Sequence, residues 1–235
     1  LYSVPYMFGT LGIIYNTTMV EPGEDMETWD VLWNEKYAGD ILMFDNPRDT
    51  IGIALKKLGY SYNTTDAAQI TAAVDLLMEQ KPLVQAYVMD DIFEKLEGGN
   101  AAIAMYYAGD YLTMLENNED LAFVVPDEGS NWFVDAMCVL KSSQHTAEAM
   151  EWINFIASTE SNLANMDYIW YASPNAEALA EYPAYYEAEY EEPLDEEIYH
   201  IMAAPPEVLD RCELYINLPQ ETLKFYNDLW TRLGI

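Results

Sequence analysis

Two periods of apolar spacing alternate along the chain. Short runs rich in aromatic and β-branched residues predict strands at Val4–Phe8, Gly12–Asn16, Ile41–Phe44, Ile103–Tyr107, Leu121–Val125 and Trp132–Leu140. Between them the spacing turns helical, with core-facing sets at Ile53, Leu55 and Leu58, at Ile70, Val74 and Leu77, at Met150, Ile153 and Ile156, and at Leu223, Tyr226, Leu229, Trp230 and Leu233. Punctuation supports these bounds. Thr28 caps a short helix carrying Trp29, Leu32 and Trp33. Asn46 precedes Pro47 and stands three residues before Asp49, Asp66 and Thr146 open later helices, and Gly59 and Gly98-Gly99 stop two. Shorter helices are expected over Asp91–Leu96, from Asp110 onward and from about Glu160 to Tyr168. Glu181–His200, dense in Glu and Tyr, reads as an exposed, partly helical excursion. Strands alternating with helices, without repeats or a low-complexity linker, predict an α/β fold with a mostly parallel or mixed sheet.

Composition changes this picture in three ways. With 235 residues, half of them hydrophobic, the chain can bury a sizeable core in one large domain or two lobes. Forty-one acidic residues against ten basic ones give a formal charge of −31. Such a field repels nucleic acid and anionic lipid and draws in cations, although most of it is explained by surface solubility. Cys138 and Cys212 lack zinc-type spacing and are expected to be two buried free thiols. No apolar run reaches the roughly 18 residues of a membrane span. The chain starts at Leu1 rather than Met, which reads as a cut.

Nucleophile, phosphate-loop, dinucleotide and zinc-protease signatures are missing, and no calcium-loop spacing occurs. The two histidines, His145 and His200, read as solvated side chains. No cofactor is implied. Three element ends do combine polar and aromatic residues: Asn46 to Asp49, Tyr106-Tyr107 with Asp110, and Trp132-Phe133-Val134-Asp135. In open α/β sheets ligands sit beyond the carboxyl ends of strands, where these residues fall. Carboxylates beside aromatic faces suit an ammonium group, through charge-assisted hydrogen bonds and cation–π attraction of about 0.5–2 kcal/mol per ring. Plainer roles compete: Asn46 and Asp49 also serve as a capping pair, and Tyr106 and Phe133 as core aromatics. Asp135 in an apolar strand is expected to be a buried carboxylate without a local partner.

The stretches YSVPYMFGTLGIIYN, TWDVLWNEKYAGDILMFDNPRD, IALKKLGYSYNTTD, PDEGSNWFVDAM, AMEWINFIAS and KFYNDLWTRL carry a resemblance to the spermidine/putrescine-binding family, the substrate-binding components of polyamine ABC transporters. It covers most of residues 1–180 and returns near the end. The resemblance implies a two-lobed, periplasmic-binding-protein-like (type II) α/β fold, truncated at the N-terminus, with a ligand cleft between the lobes. Residues 1–134 with 180–235 would form one lobe, and 135–179 the returning part of the other. It also implies a non-enzymatic, periplasmic or extracellular protein, either free or lipid-anchored to the cell membrane, that delivers a polyamine to an ABC transporter permease.

The implied ligand positions are Asp135, unchanged from the family; Asp49, replacing a glutamate; Asn46, replacing an aspartate; and Tyr106 and Phe133, at tryptophan positions, with Trp132 beside them. A glutamine of the family falls near Ile216 or Asn217. Truncation would expose apolar surface around Val139, Ile153 and Ile156, or leave it to a second chain. Other readings are the same fold with another cationic or polar solute, a carbohydrate-active enzyme using paired carboxylates, and an interaction module in which Glu181–Tyr199 meets a basic partner.

Overall fold

A single long strand, β1 (Val4–Asn16), opens the computed structural model, which describes residues 3–235. The two strands expected here are one, because the chain runs extended through Gly9, Thr10 and Leu11 while its neighbours change. Its leading half pairs with β6 (Trp132–Met137), from Val4↔Met137 to Thr10↔Trp132. Its trailing half is flanked by β4 (Ile103–Tyr107) and β5 (Leu121–Val124). All three pairings are antiparallel. On the far side β4 pairs in parallel with β2 (Ile41–Phe44), and β2 with β3 (Val84–Val88), giving the order β3-β2-β4-β1-β5. The mixed sheet matches the α/β expectation. β3 escaped the sequence pattern because it is a half-buried edge strand with Gln85 exposed.

Local signals set the helices. Thr28 accepts from the Asp30 N–H and starts a 3-10 turn, Trp29–Trp33. Asn46 caps α1 (Pro47–Lys57), and Asp66 caps α2 (Ala67–Gln80). Gly59 follows α1 with a φ of +76°, which favours glycine. α3 (Ile92–Glu97) and α4 (Ala108–Leu115) flank β4 in the sequence. After β6 come α5 (Thr146–Ile156) and α6 (Thr159–Ile169). His145, not Thr146, holds the cap position of α5, without a side-chain cap bond. The chain ends through α7 (Ala176–Tyr190), α8 (Glu196–Met202), α9 (Pro206–Leu209) and α10 (Gln220–Leu233).

The core gathers around β1, β2 and β4, with Leu11, Ile13, Ile14, Ile41, Leu42 and Ile103 fully buried. α10 covers α1 and α2 through Tyr226, Leu229 and Leu233. The expected excursion at 181–200 is mostly helix and partly core, since α7 packs on α6 and buries Tyr182 completely. Residue 180 lies inside α7, a continuous helix.

On α5, Ile153 is buried at 6% exposure, against expectation, while Val139 and Ile156 are half-buried. The exposed apolar side chains are instead Leu140, Met150, Trp152 and Phe155, because the helical turn sends Trp152 and Phe155 away from Ile153. Cys138 is exposed and Cys212 half-buried, so only the free state of the expected buried thiols holds.

The loop from β5 to β6 is stitched to the segment before α10. Glu213 N–H donates to the Ser130 carbonyl at 2.8 Å, and Trp132 N–H donates to the Glu213 carbonyl at 3.2 Å. Gly129 makes this approach achievable: its φ is +86°, and a Cβ there would meet the Arg211 carbonyl oxygen at 1.9 Å. Gly129→Ala is therefore expected to destabilise the protein by about 1–3 kcal/mol, read as a lower urea midpoint at unchanged m-value. An unchanged midpoint would refute the close approach.

Candidate functional site

The strand periods and helix starts described above converge on one cleft of about 930 Å³, at the ends of β2, β4 and β6 and alongside the leading half of β1. Among its described lining residues are five carboxylates, Asp49, Asp90, Asp110, Glu116 and Asp135, and no Lys, Arg or His. Aromatic rings form a continuous wall. Phe44 lies 4.8 Å from Tyr106 and 5.1 Å from Tyr107; Tyr107 lies 4.8 Å from Phe133; and Phe133 lies 6.0 Å from Tyr171. Most of these pairs are edge-to-face, the geometry that ring quadrupoles favour.

Asp49 sits in the first turn of α1 and is 2% exposed. Burial raises its pKa, and the phenols of Tyr215 and Tyr107, donating at 2.6 and 3.3 Å, pull it back, helped by Arg48. Arg48 stays outside the lining and stacks on Tyr215 at 4.4 Å. Asn46 shares the rim, but its carbonyl oxygen is occupied by the Arg48 and Asp49 N–H groups. Asp49 does not reach back to complete a capping pair; its oxygens go to the two tyrosines.

Asp110 begins α4 and is half-buried. Burial pushes its pKa up to about 6, opposed by a 3.0 Å hydrogen bond from the Tyr171 hydroxyl and reinforced by the charge of Asp90. Tyr171 is wedged in place. Cβ atoms on Gly9 and Gly109 would lie 2.9 and 2.4 Å from its ring, and the neighbouring Ala172 carbonyl accepts from Phe8 N–H at 2.9 Å.

The cleft brings together five of the six residues expected from sequence: Asn46, Asp49, Tyr106, Phe133 and Asp135. Trp132 is not among its lining residues. Strand alternation puts Phe133 and Asp135 on one face of β6 and Trp132 on the other, where its ring meets Phe8 edge-on at 6.2 Å. Asp135 is exposed rather than buried, and its pKa is raised by desolvation alone. Tyr171 and Tyr215 were missed because their neighbours in sequence carry no pattern; they arrive through long-range packing. Asp110 stood in the sequence pattern beside Tyr106-Tyr107 but not among the expected ligand residues. Ile216, near the loosely placed glutamine position, is 56% exposed and points to no lining role, whereas the adjacent Tyr215 lines the cleft. A second cavity, about 580 Å³, between β5 and α8 mixes Glu197, His200 and Arg211 and lacks the aromatic wall. No group of metal-binding side chains occurs among the described residues.

Residues 1–193 match the family described as bacterial extracellular solute-binding protein. A solved structure from Listeria monocytogenes, described as a candidate spermidine/putrescine ABC transporter, superposes with a TM-score of 0.87 at 36% identity, covering 100% of this chain and 69% of that one. The spermidine/putrescine ABC transporter substrate-binding protein of Streptococcus pneumoniae gives 0.81 at 34% identity, covering 99% and 68%. In sequence, the spermidine/putrescine-binding periplasmic protein of Escherichia coli is 30% identical over 177 residues, 75% of this chain and 51% of that protein. The chain thus spans about half the length of that curated relative.

The raised pKa of Asp110 has a measurable consequence. Its contribution to stability is complete below the ordinary value of 3.8 and is lost as pH rises through about 6. Asp110→Asn removes that component, so the variant should gain stability relative to the parent between pH 4 and 7, by at most about 2–3 kcal/mol. Urea titrations across this range check it; a constant difference between the two proteins would contradict the shift.

Proposed function

The chain belongs to the bacterial extracellular solute-binding proteins, and from that premise we propose that it serves as the extracytoplasmic substrate-binding component of an ABC importer for a polyamine, spermidine or putrescine. One observation carries the proposal: an aromatic-walled cleft whose described lining residues include five carboxylates and no basic side chain. A cleft so charged disfavours anions, and its rings favour an alkyl chain bearing ammonium groups over a bare inorganic cation. Asp135 and Asp49 supply charge, Tyr106 and Phe133 supply the wall, Asn46 offers its amide at the rim, and Trp132 backs β6 against Phe8. The names of the Escherichia coli and Streptococcus pneumoniae relatives support the same ligand class.

The rest of the proposal concerns the whole protein. It works by binding rather than turnover, in the periplasm or at the cell surface, where a lipid anchor would hold it. A transporter permease receives the ligand. The lobes are about 1–134 with 180–235, and 135–179, with the chain crossing between them near Asp135 and near Ser173–Ala180. Further chain, from the same or a second polypeptide, covers the exposed Trp152 and Phe155.

Calorimetric titration of the full-length protein with putrescine, spermidine, amino acids and neutral sugars tests the ligand class. A polyamine is expected to bind saturably at one site. Asp135→Ala should weaken it about 10-fold or more, the scale of a lost charge-assisted hydrogen bond. Binding confined to sugars or amino acids, or turnover of a glycoside, would overturn the proposal.

A further inference from the structure

Away from the cleft, the cavity of about 580 Å³ between β5 and α8 is lined by two residues whose buried donors lack an acceptor. Thr10 is 1% exposed, and its hydroxyl has no hydrogen-bond partner among the described residues. The Arg211 Nε–H is likewise buried and unpartnered. One Arg211 Nη donates to the Val125 carbonyl at 2.7 Å, and the other lies 3.9 Å from the exposed Asp127. Lys36 and Lys56, by comparison, meet carboxylates at 2.7 and 2.9 Å. In a chain of 41 acidic and ten basic residues, a guanidinium so loosely paired keeps most of its capacity for another anion.

The fold brings these two groups together. Thr10 ends the β6-paired half of β1, opposite Trp132, whose N–H donates to the carbonyl of Glu213, two residues after Arg211. The same stitch therefore holds Arg211 beside the point where β1 changes partners. Thr10 and Val125 make a buried inner end, whereas Asp195, Glu196 and Glu197 are exposed and form an acidic rim. The helical period places Glu197, His200 and Ile201 on one face of α8. Asp195 spends one oxygen on the N–H groups of Glu197 and Ile198, while Glu196 and Glu197 form no ion pair among the described residues. Phe123, Val125, Ile201 and Val208 supply apolar surface between the two ends.

We propose that this cavity is a second binding site, for a small zwitterion: an amino acid with an apolar side chain, its carboxylate on Thr10 and Arg211 and its ammonium toward Glu196 and Glu197. The inference does not rest on the amine-binding role of the cleft. A carboxylate accepts from both orphan donors at once, which a neutral apolar guest cannot do. A plain anion meets the acidic rim, and a plain cation meets Arg211. A zwitterion satisfies both ends and carries no net charge past either. Its side chain would lie against Ile201 and Val208. The aromatic cleft has no basic lining residue among those described, so it offers the carboxylate no such place.

The test is calorimetric titration of the full-length protein with L-leucine, 4-methylpentanoate and 3-methylbutylamine. The last two keep the leucine side chain and lack, in turn, the ammonium and the carboxylate. Leucine should bind saturably at one site, with an affinity that saturating 1,4-diaminobutane leaves within about 2-fold, and each analogue should bind about 10-fold more weakly or worse. Arg211→Gln, which keeps an amide donor for the Val125 carbonyl, should weaken leucine by about 10-fold or more, and Thr10→Val by about 3- to 10-fold. Thr10→Val should also raise the urea midpoint of the ligand-free protein, because it removes the orphan hydroxyl at nearly constant volume. Melting curves confirm that both variants fold, and Thr10→Val decides alone if Arg211→Gln does not. Absence of saturable leucine binding, displacement of leucine by 1,4-diaminobutane, equal binding of 4-methylpentanoate, or unchanged leucine affinity in the folded variants would each overturn the proposal, and the polyamine reading of the cleft would stand untouched.

Discussion

The structure depends on one strand serving two ladders. Along β1, residues up to Thr10 belong to β6 and residues from Leu11 onward to β4 and β5. A strand paired antiparallel on both flanks is stiff, so the change of partner fixes β6 relative to the main sheet within a residue or two. That fixed relation brings Phe133 against Tyr107, and it sets Ala172 on Phe8 so that Tyr171 drops onto Gly9. Without the shared strand, the rings of β4 and those of β6 would have no reason to meet.

Electrostatics then decides what such a wall can hold. The formal charge of −31 steers cations toward the whole molecule, but salt screens it within about 10 Å. Selection requires charge where water is partly excluded. Here the carboxylates are graded. Asp49 is sealed by phenols and acts chiefly as the hub that positions Tyr107 and Tyr215. Asp110 is half-buried and Asp135 exposed, and neither has a basic partner among the described residues. Desolvation raises the pKa of all three, so each favours a cation that arrives to share the site.

The legible part of this design was local. Thr28, Asn46 and Asp66 announced their helices through side chains that bond the next N–H groups, and Gly59 announced a stop through its left-handed backbone. Five of six expected ligand residues share the cleft because strand ends and helix starts could be read from pattern. The misreadings have physical causes. Trp132 looked like its neighbour Phe133, yet a period of two turns it to the opposite face. Gly9 fell outside both expected strands, whereas it lies within β1 and its missing side chain makes room for a ring 162 residues away in the sequence. β3 carried too little burial to stand out, and Tyr171 and Tyr215 owe their places to long-range pairing, which single-sequence periodicity does not encode.

The proposed role stands or falls on whether the aromatic-walled cleft takes up an amine. A crystal structure of the full-length protein grown with 1,4-diaminobutane tests this most directly. The expected result is an ammonium about 3 Å from Asp135 with methylenes over the ring of Phe133. A diamine bound instead in the cavity between β5 and α8, or no diamine at saturating concentration, would contradict it.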